Sequence, residues 1–392
     1  MNVPEFSLFS QPRVVFGPGR LHELPGLAAR YGSRVLLVTG SGSLEKSGVL
    51  PDLFDEMRSC SLRHVHLTVS GEPGPDLVDR AVSRHAGSGI DVVVAIGGGS
   101  VLDAGKAISA MLLQGEPVET YIEGLDGYRP HDGRKVPFIA VPTTSGTGSE
   151  ATNNAVISRT GPGGFKRSLR HPAFIPDIAL IDPALMLSLP RRQTVASGMD
   201  AGTQLLEAYL SPAASPYTDA LAWSGLEHFR SSFPASCGSG AGRIEVRSAM
   251  AYAALLSGMT LVNAGLGIVH GFASSIGGFI DIPHGTLCAS LIASATRENI
   301  GQLRLRDGVA YLEKYARAGR LFSGLDTLGT ESACDALVET LEEWQEQFAV
   351  ERLGAFGLQQ KDIDDIVNMT RSKNNPVELD DASMKTILME RL

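Results

Sequence analysis

No apolar run in this chain reaches the ~20 residues that a bilayer-crossing helix needs. Nor does a basic segment followed by an apolar core open it, since "MNVPEFSLFSQPRVVFG" is mixed, and a secretory signal peptide is not expected. The four cysteines, Cys60, Cys237, Cys288 and Cys334, include no CxxC pair. That argues against a disulfide framework or a zinc–thiolate site and for free thiols in a reducing cytoplasm. Positive charge is short as well: 34 Lys and Arg against 43 Asp and Glu leave a formal net charge of -9, the wrong sign for a nucleic-acid backbone. Repeats, long linkers and low-complexity tracts are missing; the small-residue run "ASCGSGAGR" (Ala235–Arg243) reads as a loop. The expectation is a soluble, cytoplasmic protein whose partners are neither membrane nor nucleic acid.

What is present is ordinary globular composition, 43% hydrophobic and 20% charged, over 392 residues. One core rarely grows that large, so two domains are expected. Up to residue 184 short β-branched runs alternate with amphipathic stretches. Strands are predicted at Arg34–Thr39, His64–Val69, Asp91–Ile96, Pro137–Pro142 and Ile178–Asp182, and helices at Leu50–Arg58 and Asp76–His85. Several of the strands are apolar at consecutive positions, as strands buried on both faces require. This is the grammar of a doubly wound parallel sheet. From residue 185 to 392 the strand pattern fades into alanine- and leucine-rich stretches that read as helices, such as "QTVASGMDAGTQLLEAYLS" and "ESACDALVETLEEWQEQF". The fold class is thus an α/β nucleotide-type domain (1–184) followed by an all-helical domain (185–392).

The run "VVVAIGGGSVLDAGKAIS" (Val92–Ser109) stops a strand at three glycines and starts a helix near Val101. Glycines let a backbone approach an oxyanion closely, and the N–H groups and dipole of the following helix attract its charge. Gly97, Gly98, Gly99 and Ser100 suit a phosphate; a tight connection with no ligand fits them as well. A second polar turn, "VPTTSGTGSEATNN" (Val141–Asn154), carries Thr143, Thr144, Thr147 and Ser149, whose hydroxyls and backbone amides could meet a phosphate, a ribose or a nicotinamide amide. Asn153 and Asn154 form a polar patch beside a reacting carbon or else satisfy loop backbone. The first strand ends in a third such turn, "VTGSGSLEKSG" (Val38–Gly48), which is not the GxGxxG fingerprint. Several such turns on one sheet are what a dinucleotide crevice needs.

In the helical half, "SGMDAGTQLLEAY" puts Asp200 at the start of a helix with Gln204 one turn later on the same face. "GIVHGFASSIGGFIDIPHGTLCAS" adds His270 and His284. One carboxylate, two imidazoles and an amide could hold a divalent transition metal with a position open for substrate. Two core-filling histidines would read the same way.

Taken in order, "GGGSVLDAGKA", "VPTTSGTGSEAT", "SGMDAGTQLLEAYLS" and "GIVHGFASSIGGFIDIPHG" resemble the iron-containing (group III) alcohol dehydrogenases, with similarity from "PRVVFGPGRLHEL" to "NNPVELDDASMKTIL". The resemblance implies the dehydroquinate synthase-like two-domain fold, in which a nicotinamide and a divalent iron or zinc share the cleft. It also implies hydride transfer between NAD(P)(H) and a small alcohol or aldehyde, and a homodimer or larger homo-oligomer. Gly97, Gly98, Gly99, Ser100 and Asp103 would line the pyrophosphate turn; Thr143, Thr144, Thr147 and Ser149 would approach the nicotinamide; Lys166 would lie near the cofactor. Asp200, His270 and His284, the last two spaced by fourteen residues, match the family's metal ligands and would be catalytic with Lys166. Gln204 stands where the family has histidine, and Ser274 where many members carry another. These departures keep two alternatives open: a metal-independent carbonyl reductase of the maleylacetate reductase type, with Lys166 or a histidine polarising the carbonyl, and a silent cofactor-binding member. Lyases like dehydroquinate synthase share the plan but use sites rich in lysine and arginine. Gly40 replaces the aspartate of many NAD-using relatives, and with Ser41, Ser43 and Lys46 nearby the turn leans to NADP(H).

Overall fold

The computed structural model describes residues 4–42, 44, 48–161, 163–306 and 308–392. Six strands, β1 (Arg13–Phe16), β2 (Arg34–Gly40), β3 (Arg63–Val69), β4 (Val92–Gly97), β5 (Phe138–Pro142) and, later in the chain, β8 (Ile178–Ile181), form one sheet in the order β1-β8-β5-β4-β2-β3. Every pairing in it is parallel. The helices α1 (Leu24–Ala28), α2 (Val49–Ser59), α3 (Pro75–His85) and α4 (Gly99–Met111) cover it.

The consecutive apolar residues divide between two cores. Leu36, Val38, Val93, Ala95, Phe138 and Ala140 face α3 and α4, while Val35, Leu37, Val92, Val94, Ile96, Ile139 and Val141 face α1 and α2. Alternation across a pleat sends neighbours to opposite faces, and both faces are dry here. The chain leaves β2 outward to β3 and returns to β4 on the other side. The order therefore reverses between β2 and β4, the switch point where an open α/β sheet has its crevice.

Three elements were not expected from the sequence. β1 is only four residues long. An antiparallel hairpin, β6 (Asn154–Arg159) and β7 (Phe165–Arg170), stands apart from the main sheet. Its strands carry charge and half-exposed positions, so the period-2 pattern is faint.

After β8 the chain is helical: α5 (Arg191–Leu210), α6 (Pro216–Ser236), α7 (Ile244–Ala264), α8 (Ile268–Phe279), α9 (His284–Leu305), α10 (Val309–Ser323), α11 (Thr330–Gln347), α12 (Ile363–Met369) and α13 (Asp381–Met389). Their shared core is built around Phe229, Phe233, Phe272, Phe322 and Trp344. No single helix among the described residues is long and apolar enough to cross a membrane; α7 and α8 reach that length and composition only together, across a 95° bend.

Two helix starts differ from expectation. α4 begins at Gly99, two residues before Val101. Asp200 sits in the middle of α5, not at its start. The glycines around it do not break the helix but admit neighbours: a Cβ on Gly198 would meet the Phe233 ring at 2.6 Å, and Gly202 lies under Phe229. Both rings belong to α6, so these glycines let α5 and α6 pack closely.

Candidate functional site

The glycine turn lies at the C-terminal end of β4. Gly97, Gly98 and Gly99 have no left-handed backbone; what they lack is room. A Cβ on Gly97 would meet Val101 at 2.5 Å, on Gly98 Thr144 at 3.3 Å, and on Gly99 Thr147 at 2.6 Å. The turn after β4 and the turn after β5 are thus packed against each other. Gly98 caps α4 with extended backbone and no side-chain bond, so the helix's first N–H groups are left for another acceptor. Ser100 follows in the first turn. Gly40 ends the neighbouring β2, across the switch point, and Ser41 follows it. Ser43 and Lys46 lie outside the described residues.

Asp103 and Ser149 have internal partners. The Ser149 hydroxyl donates to Asp103, whose other oxygen accepts from the Val156 N–H at 3.1 Å. Lys106, one turn on and fully buried, donates to Ser149 O, Thr152 O, Thr152 Oγ1 and Asn154 O within 2.9 Å. Burial pulls this lysine down to about 8 and pushes nearby Glu150 up to about 7. These groups brace the second turn against α4. Asn153 and Asn154 bond to the hairpin: Arg170 donates to Asn153 Oδ1, and Asn154 donates to Ser168, while Asn154 Oδ1 is buried without a partner among the described residues.

The second turn also locks onto the helical half. Gly148 is left-handed (φ 62°), and its backbone lies directly against that of Gly258 on α7, where a Cβ on either residue would run into the other chain segment. Beside it, the Ser257 hydroxyl lies 3.3 Å from Gly146 O and 3.1 Å from Gln204 Oε1. Gln204, one turn along α5 from Asp200, helps hold the Asp200 carboxyl low. A short polar chain therefore runs from the second turn to Asp200.

Asp200, His270 and His284 converge from α5, α8 and α9. Asp200 Oδ1 lies 3.5 Å from Nε2 of each histidine. That oxygen is buried and has no hydrogen-bond partner among the described residues. Glu207, two turns along α5 from Asp200, accepts from His270 Nδ1 at 2.6 Å and from the Val269 N–H at 2.7 Å. That contact fixes the ring so that Nε2 faces Asp200. His284 keeps 27% of its side chain exposed, which makes its side the open one.

A fourth group joins them that the sequence reading had set aside. Cys288 follows His284 by four residues on α9, and its Sγ lies 3.8 Å from Nε2 of both histidines. Burial pushes the Cys288 thiol up, but His284 and His270 outweigh it and hold it below the ordinary range. Burial likewise works against charge on Asp200, yet the same imidazoles keep its carboxyl low. Burial also opposes a charged His270, while Cys288, Asp200 and Glu207 hold its pKa well above the ordinary value. The amide oxygen of Gln204, expected as a ligand, lies 3.1 Å from the Ser257 hydroxyl, which also has Ala254 O at 2.8 Å. Ser274 donates to His270 O and accepts from Lys373, a lysine not singled out in the sequence.

Lys166, on β7, is ion-paired with Glu72 from the loop after β3. Its stem crosses Gly277 of α8, where a Cβ would meet Lys166 Cδ at 2.5 Å. The pair is close enough that both charges act on the His284 cluster.

Comparison with known proteins agrees with this geometry. Residues 11–183 match the model of the iron-containing alcohol dehydrogenases, and residues 194–392 match the C-terminal part of the Fe-containing alcohol dehydrogenase family. The chain is 29% identical to the NAD-dependent methanol dehydrogenase of Bacillus methanolicus, covering 91% of each chain. It is also 29% identical to the NADPH-dependent butanol dehydrogenase of Clostridium saccharobutylicum, covering 97% of this chain and 96% of that one. An archaeal halo-thermophilic alcohol dehydrogenase from a Red Sea brine pool superimposes over 100% of both chains with a TM-score of 0.90 at 25% identity. This chain belongs to the iron-containing alcohol dehydrogenase family and is an NAD(P)-dependent oxidoreductase of alcohols and aldehydes.

Proposed function

We propose that the enzyme interconverts a small alcohol and its aldehyde using NADP(H) and a divalent iron or zinc ion held by Asp200, His270 and His284. One observation carries the metal-assisted reading: a buried carboxylate oxygen without a hydrogen-bond partner, 3.5 Å from two imidazole nitrogens. Buried carboxylates are otherwise hydrogen-bonded, and an oxygen facing two ring nitrogens suits a cation among them. Such an ion supplies Lewis-acid polarisation of the substrate oxygen and lowers the pKa of an alcohol hydroxyl. The nicotinamide ring supplies or accepts the hydride.

The protein's part is placement. Glu207 holds the His270 tautomer, and Gln204 with Ser257 holds Asp200. The first N–H groups of α4, with Gly97, Gly98, Gly99 and Ser100, would take the pyrophosphate, and Thr143, Thr144 and Thr147 would approach the nicotinamide. Asp103 and Ser149 would shape that cradle from behind. A metal-free mechanism would need Lys166 or a histidine to polarise the carbonyl, and the pairing of Lys166 with Glu72 weighs against the first. In this reading residues 1–184 bind the nucleotide and residues 185–392 the metal and substrate. A homodimer or larger assembly fits the open edge strand β1, with Val14 and the nearby Phe6, Leu8 and Phe9 exposed. A reducing, cytoplasmic setting fits four free cysteines.

Purified enzyme supplied with iron(II) or zinc is expected to reduce short aldehydes with NADPH faster than with NADH; no turnover with either cofactor under either metal would overturn the reading. The end of β2 offers a second test. Gly40 does not have a left-handed backbone, and a Cβ there meets Val101 at 3.4 Å, an ordinary contact. Gly40→Asp is therefore sterically admitted, and its charge would repel a 2′-phosphate. The NADPH-to-NADH preference, read as the ratio of kcat/KM, should fall about 100-fold. An unchanged ratio would place the ribose elsewhere.

A further inference from the structure

Cys288 is fully buried and sits one helical turn beyond His284, so α9 turns thiol and imidazole to one face. Four donor atoms, from Asp200, His270, His284 and Cys288, lie within 4.8 Å of one another. The Sγ distances of 3.8 Å and the Oδ1 distances of 3.5 Å to the two ring nitrogens are edges of that cage. A tetrahedral zinc, with N and O at about 2.0 Å and S at about 2.3 Å, sets its ligand atoms about 3.3–3.6 Å apart. Those four edges need a contraction of up to about 0.3 Å to match, and the remaining two, Asp200 to Cys288 and His270 to His284, lie within 4.8 Å. Gln204 is a poorer donor than a thiolate, being uncharged, and its amide oxygen lies 3.1 Å from the Ser257 hydroxyl.

We propose that Cys288 is the fourth protein ligand of this metal site, a thiolate taking over from the histidine that Gln204 replaces, and that it tunes the site towards zinc over iron(II). The inference rests on the metal-assisted reading given above. A thiolate is a softer donor than an amide oxygen, and with Asp200 it gives two negative charges that match a divalent ion. Coordination releases the thiol proton to solvent. The cluster is open on the His284 side, so the substrate oxygen would approach there as a fifth donor, zinc expanding from four ligands to five.

Zinc X-ray absorption on the wild-type enzyme, stripped by chelation and reloaded with one equivalent, needs no variant. It should show one sulfur at about 2.3 Å beside N and O at about 2.0 Å. A shell of N and O alone would remove Cys288 from the site while leaving the metal reading intact. Failure to bind one ion per chain would overturn both. Cobalt(II)-loaded protein should show a sulfur-to-metal charge-transfer band that survives Cys60→Ser, at an exposed thiol, and disappears in Cys288→Ser. The same variant should lose on the order of 100-fold in zinc affinity and less in iron(II) affinity. Adding Gln204→His to Cys288→Ser should recover part of that loss; equal zinc affinity in wild type and Cys288→Ser would contradict the proposal.

Discussion

Asp200→Asn is expected to lower kcat/KM by on the order of 10³-fold while leaving the circular dichroism spectrum unchanged. The amide keeps the shape of the carboxylate and can still bond Gln204, so the packing of α5 against α7 has no reason to change. What it removes is, among the described residues, the one carboxylate oxygen paired with both Nε2 atoms. If that oxygen helps hold a Lewis acid, its loss forfeits several kcal/mol of transition-state stabilisation, and about 4 kcal/mol corresponds to three decades of rate. Metal content by elemental analysis should fall alongside activity. A variant that keeps its turnover with no metal bound would show that Asp200 serves packing alone.

Gly258→Val should have the largest effect on the assembly of the two halves. The backbone at Gly258 touches that of Gly148, a left-handed residue in the turn that carries Thr143, Thr144 and Thr147. Neither partner is the end of a flexible side chain, so the added atoms cannot be absorbed by a rotamer change. Overpacking against yielding neighbours already costs about 1–3 kcal/mol, and here the turn itself must move. A loss of about 3 kcal/mol is expected, together with a rise of at least about tenfold in the KM for the nicotinamide cofactor. The Asp200 cluster lies on the other side of Ser257, so metal stoichiometry should fall less than cofactor affinity. A variant with wild-type Tm and cofactor KM would mean that the Gly148–Gly258 contact does not hold the turn.

Those two expectations draw on different kinds of information. The parallel strands could be read from the chain because both sheet faces are buried, which makes Val92–Ile96 apolar at every position. The helices α2 and α3 were legible because Leu50, Leu53 and Met57, and Val78, Ala81 and His85, repeat at helical spacing. Asp200, His270 and His284 were found through motif order and the fourteen-residue spacing. The short edge strand β1 and the hairpin β6–β7 carry too little periodicity to stand out.

Groups whose role depends on distant partners were hidden for a different reason. Nothing local to Lys106 announces the bonds it makes 43 to 48 residues away. Glu207 gains its meaning from His270, and Ser257 from Gln204, only after three helices have packed. Gly97, Gly98 and Gly99 were read for close approach to an oxyanion, and that reading did not foresee that the missing side chains of Gly98 and Gly99 also let two turns touch. Cys288 had a local mark, a histidine four residues earlier on the same helix. A search for paired cysteines passes over a single thiol placed beside a histidine.

Hydride transfer assisted by one divalent ion, held where α5, α8 and α9 meet, is the claim on which the other readings depend. The direct test is to strip the enzyme of metal, verify its absence by elemental analysis, and follow NADPH-dependent aldehyde reduction while iron(II) or zinc is added back. The account predicts negligible turnover in the stripped protein and a linear return to a plateau at one ion per chain. Full turnover from protein verified to be free of metal would contradict it.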